Sequence, residues 1–195
     1  MVHVSNILYY NVFIFYLVFF FIITNTNRTF GNLCNLSQVV LQWLAFLYGL
    51  TNGMCRFLWG WLLDKFNFKK LMFAILTMEF TVACSIYYIA YNPILYIFEN
   101  LLIALCVGGT FVMLIPCFSH IFGVKNGPKI YGLTGILVGL SSMIGPIVSE
   151  LIVKTKVDYL KLYLIGGGFV FVNIIVCLLF EEKPYVYTNT KKIEE

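Results

Sequence analysis

Arg56 lies inside an apolar run, four residues after Asn52 and eight before Asp64. Insertion scales charge roughly 2.5–3.5 kcal/mol for an arginine at the centre of a membrane helix, so such a residue faces protein or water and is a functional candidate by default. Its planar fork offers two parallel charge-assisted hydrogen bonds to a carboxylate. Arg56 is therefore the candidate binding residue for an organic anion, and Asn52 lies one helical turn before it. Glu79 and Glu99 also sit inside apolar runs. An acid in such a place can take up and release a proton, which makes both candidate proton-coupling residues. A structural arginine paired with a glutamate, or one reaching the interface, is the rival reading of Arg56.

These residues need helices in a bilayer to hold them. Of 195 residues, 61% are hydrophobic and 11% charged. A soluble domain of that length carries far more charge on its surface. The apolar residues come in long unbroken runs, which predicts an all-α membrane protein. Six runs have the length of a span: about 7–23, 38–63, 71–91, 93–118, 130–153 and 160–180. Together they predict one six-helix transmembrane bundle over residues 1–183, followed by a charged tail at 184–195. Pro93 suits the first turn of a new helix and closes the shortest link. The first run has no Lys or Arg before it and no small-residue cleavage site after it, so it reads as a span rather than a signal peptide.

Lys and Arg are distributed unevenly between the loops. The side holding both ends, the loop near residue 65 and the loop near residue 125 carries eight, against four on the other side. This bias predicts that both termini are cytoplasmic. The two N-x-[ST] sequons, at Asn27 and Asn35, fall in the loop expected outside. The net charge of +4 is thus a topological signal and not a nucleic-acid one. None of the six cysteines forms a CxxC pair, and no zinc spacing, phosphate loop or nucleophile motif occurs. No cofactor, metal site or enzymatic activity is expected. Trp59 and Trp61 fit an interfacial aromatic belt.

The end of the second run reads Gly60-Trp-Leu-Leu-Asp64-Lys65-Phe-Asn67-Phe68-Lys69-Lys70. This resembles the cytoplasmic loop motif of the major facilitator superfamily, G-x-x-x-D-[RK]-x-G-[RK]-[RK]. Gly60, Asp64, Lys65 and Lys69 match in register. Asn67 replaces a glycine and tolerates its left-handed conformation. Phe68 stands where a basic residue is usual, and Lys70 compensates from the next position. In the superfamily this loop latches helices that move during alternating access, with the Asp at a neighbouring helix N-terminus. The segment Phe118–Pro146 resembles monocarboxylate transporters and oxalate/formate antiporters. Phe122-Gly123, Lys125, Tyr131-Gly132 and Gly145-Pro146 carry that likeness.

The resemblance implies a six-helix half of a twelve-helix transporter. The fourth run, "FENLLIALCVGGTF", lacks the arginine usual in the N-terminal half. The chain is therefore read as the C-terminal half. In these carriers an arginine four residues before the glycine and eight before the loop acid binds the substrate carboxylate, and Arg56 has that spacing. Asn52 stands where proton-coupled members have an aspartate, so the resemblance makes it the second substrate-binding candidate beside Arg56, and Val138 stands where the oxalate carrier has a lysine. One cation then implies a single carboxylate. Glu99 corresponds to a cavity-lining helix and is preferred to Glu79 for proton coupling or for pairing with Arg56.

Gly132, Gly135 and Gly139 share a helix face that a neighbour can approach closely, and Gly145-Pro146 predicts a kink or hinge. Gly108-Gly109 reads the same way. The expected function is secondary active transport of a small organic anion, with the lipid bilayer and a second six-helix half as partners. That half would come from the same product, a separate chain or a homodimer. The reading from a different class is a non-transporting membrane scaffold or regulatory protein that keeps the bundle.

Overall fold

The computed structural model describes residues 24, 26–153 and 156–179, and among these every regular element is a helix. The first expected span, 7–23, and the tail at 184–195 lie outside the described residues. A helical segment at residues 26–33, α1, leads into α2 (Gln38–Leu63), α3 (Phe68–Ile89), α4 (Pro93–Phe122), α5 (Gly127–Ile152) and α6 (Lys156–Leu179). Helices α3, α4, α5 and α6 are long and apolar enough to cross a membrane. Helix α2, with Asn52 and Arg56 in its sequence, is not in that group.

Local chemistry sets the breaks. Asn35 turns the chain with φ 61°, a left-handed conformation that asparagine tolerates. Ser37 Oγ then accepts from the Val40 amide at 3.3 Å and starts α2. Asn92 Oδ1 accepts from the Ile94 and Leu95 amides, and Pro93 follows in the first turn of α4, where its missing N–H costs nothing. Gly123, at φ 79°, ends α4.

Helix α4 sits at the centre. It packs on α2, α3 and α5, and α3 also packs on α6. The core comes from Ile75, Leu76 and Ile86 of α3, Val107 and Leu114 of α4, and Leu162 of α6. Two buried asparagines bond within their own helices, so these amide donors need no partner across an interface. Asn100 Nδ2 donates to the Tyr96 carbonyl at 2.8 Å, and Asn173 Nδ2 to the Phe169 carbonyl at 2.7 Å.

The two ends of the bundle are tied differently. At one end Phe30 of α1 is fully buried among aromatic rings. Tyr159 lies 4.9 Å from it and Tyr163 5.3 Å, centroid to centroid. At the other end Lys69 Nζ donates to the Leu178 carbonyl at 2.7 Å. A cation at the last carbonyls of α6 also suits the helix dipole.

The structure corrects several expectations. Asn27 lies in α1 rather than in a loop, and only 6% of it is exposed, so this sequon is closed to glycosylation. Trp59 is no belt residue, since it is buried against α4. Trp61 is exposed, with Lys65 Nζ 3.7 Å above its ring. Asn67 is extended at φ −66°, because it occupies the N-cap position of α3 and not a left-handed turn. Gly132, Gly135 and Gly139 are exposed, and a Cβ on any of them would meet nothing within 4 Å among the described residues. Helix α5 packs mainly on α4, with a smaller contact to α6.

Candidate functional site

The turn of α2 that carries Arg56 is positioned by α4. Trp59 Nε1 donates to the Leu105 carbonyl at 2.8 Å. Cys55 Sγ points the same way, 3.6 Å from that carbonyl and 3.8 Å from that of Ala104. The approach is close because α4 has glycine there. A methyl group added at Gly108 would sit 2.6 Å from the Asn52 carbonyl oxygen and would collide with Cys55 Sγ. One added at Gly109 would sit 2.6 Å from Trp59 Nε1. The packing role expected of the Gly108-Gly109 pair is met here, whereas the α5 glycines do not pack in this way.

Cys55 and Trp59 share one face of α2, and Arg56 follows Cys55 by about 100° of helical rotation. The guanidinium is therefore exposed. Its Nη2 donates to Asn52 Oδ1 at 3.4 Å, a long hydrogen bond that leaves most of its donors uncommitted. Among the described residues Arg56 makes no ion pair. Gly49, Gly53 and Gly60 flank it along the helix, and none has a neighbour within 4 Å of a built Cβ. Arg56 thus projects from a glycine-lined face that no described helix covers.

The expected acids lie elsewhere. Glu99 of α4 is buried and accepts a hydrogen bond from Ser85 Oγ of α3. Glu79 of α3 is buried within electrostatic range of the Tyr48 hydroxyl and the Cys106 thiol. Pairing of Glu99 with Arg56 does not occur, because the carboxyl is turned to the α3–α4 seam.

The loop motif forms a tight turn. The Asp64 amide donates to the Gly60 carbonyl at 3.2 Å and caps α2. Asp64 and Lys70 are exposed, and the Asp64 carboxylate makes no hydrogen bond to a neighbouring helix N-terminus among the described residues. Lys69 supplies the cross-helix tie instead, to the end of α6. Pro146 lies inside α5, with Ser149 Oγ donating to its carbonyl at 2.7 Å.

The cleft between α1 and the N-terminal half of α2 was missed by the sequence reading. Asn27, Arg28 and Tyr48 line it, and Arg56 does not. Assigning residues 24–37 to a loop hid it. The available signal was the polar pair Asn27-Arg28 just after the first apolar run, with Tyr48 in the second.

A bundle of helices, several of them apolar enough to span hydrocarbon, defines an integral multi-pass membrane protein. The model of the Major Facilitator Superfamily matches residues 5–195, and the chain belongs to that family. Members of this family are generally transporters of small solutes rather than enzymes. A search of curated proteins found no match to the chain.

Proposed function

We propose that the chain is the C-terminal six-helix half of a transporter that moves a small organic anion, a monocarboxylate, by alternating access. Both termini face the cytoplasm in this reading, and a second six-helix half supplies the opposing wall. The observation that carries it is the exposed guanidinium of Arg56, held by Asn52 alone on a face of bare glycines. A lipid-facing arginine is costly. A glycine-lined face lets another body of helices approach closely. Together they favour a water-lined seam over lipid contact. The carboxylate of the solute would displace the long Asn52 contact and take the fork of Arg56 bidentately. Glu99, and after it Glu79, would carry the coupled proton. Lys69 would act as part of the latch at the cytoplasmic end.

The test is uptake of a radiolabelled monocarboxylate panel into proteoliposomes, with the chain supplied alone and with its neighbouring half. Arg56→Lys keeps the charge but loses the bidentate fork. Uptake should fall by about tenfold or more, the size of one good charge-assisted pair. Wild-type uptake by the variant, at equal incorporation, overturns the assignment of Arg56. No uptake from any assembled form favours the scaffold reading.

A further inference from the structure

The cleft above Arg56 has the make-up of an anion site in its own right. Its volume is about 380 Å³, within the ~300–1,000 Å³ range of small-molecule sites. Among the described residues Arg28 is the single charged side chain lining it, and it makes no ion pair or hydrogen bond with them. Asn27 lines the cleft and is 6% exposed. Its Oδ1, which has no hydrogen-bond partner, is an acceptor, so the amide meets an anion through its Nδ2 donors. The Tyr48 hydroxyl is buried without a hydrogen-bond partner and can donate, although the Glu79 carboxyl lies within electrostatic range of it. The site is also rigid. The Tyr96 hydroxyl donates to the Asn27 carbonyl at 2.7 Å and fixes α1 against α4. Leu41, Leu44 and Ala45 give the cleft an apolar side.

We propose that this cleft binds an organic carboxylate with a small apolar body, as a second station distinct from Arg56. Arg28 takes the carboxylate, Asn27 Nδ2 and the Tyr48 hydroxyl donate to it, and the leucines receive the apolar body. Tyr48, Asn52 and Arg56 follow one another every four residues, so the two stations lie about 12 Å apart along α2 from Tyr48 to Arg56. That the cleft feeds Arg56 rests on the function proposed above; that it binds a carboxylate does not.

Benzoate is the probe, titrated calorimetrically into the full chain in zwitterionic nanodiscs, with neutral benzamide as the control. Benzoate should bind and benzamide should not. Arg28→Gln should weaken binding about tenfold or more, and Tyr48→Phe, which removes only a hydroxyl, should weaken it severalfold. Arg56→Gln should leave this binding event in place. Absence of benzoate binding, equal binding of benzamide, or wild-type affinity in both cleft variants overturns the proposal. So does loss of binding in nanodiscs of anionic lipid, which would make the cleft a seat for a lipid headgroup. Binding lost with Arg28→Gln while Arg56→Lys leaves uptake intact supports the cleft and sinks the Arg56 reading. The reverse pattern does the opposite.

Discussion

The Trp59 indole nitrogen donates to the Leu105 carbonyl at 2.8 Å, and this bond between α2 and α4 sets the rotation of the helix that carries Arg56. Replacing Trp59 by Phe keeps the ring volume roughly and removes the donor. Stability should fall by about 0.5–1.5 kcal/mol, the net worth of one hydrogen bond. Thermal unfolding in detergent checks this. If Arg56 binds solute, KM should rise as well, because the guanidinium is no longer aimed.

The two sets of glycines should respond oppositely. Gly109→Ala places a methyl group 2.6 Å from Trp59 Nε1, so overpacking should cost about 1–3 kcal/mol. Gly135→Ala meets nothing within 4 Å and should stabilise an isolated bundle by roughly 0.5–1 kcal/mol through helix propensity. Gly135→Leu should leave folding of the chain unchanged, yet block assembly if a second half packs there. Unfolding midpoints beside a pull-down of the neighbouring half separate the two effects.

Lys69→Met removes the donor that holds the turn at residues 64–67 against the end of α6. Proteolysis at this turn should become faster, at a stability cost of about 0.5–1.5 kcal/mol. Limited proteolysis in detergent reads the change.

Glu99→Gln retains an acceptor for Ser85 Oγ, so the fold should survive. If Glu99 carries the coupled proton, uptake should lose its dependence on a pH gradient while exchange of solute continues. Gradient-driven uptake measured against counterflow distinguishes these outcomes, with Glu79→Gln as the parallel variant.

In a glycosylating host Asn27→Gln should not alter the gel mobility of the protein, because Asn27 is buried in α1. Cysteine labelling at Asn35→Cys and Phe66→Cys, both exposed turn positions, should report opposite sides of the membrane. Labelling of both from one side overturns the topology.

The sequence by itself determined the kind of protein. Long apolar runs leave a backbone no option but helix in hydrocarbon. The turn residues Asn92-Pro93, and the loop from Gly60 to Lys70, marked where helices end, because caps and prolines act through their immediate neighbours. The family was legible in that same loop, and an arginine in an apolar run stood out by its cost alone.

Tertiary structure alone decided which faces meet. Gly108-Gly109 and Gly132, Gly135, Gly139 look equally fit for close packing as strings of letters, but only the first pair has a helix against it. Trp59 and Trp61 are two residues apart, and one is buried while the other is exposed. Glu99 finds Ser85 rather than Arg56. Periodicity places a residue on a face of its own helix, but the rotation of each helix is set by contacts distant in the chain. Here those contacts are the glycines of α4 and the bond from Trp59 to Leu105.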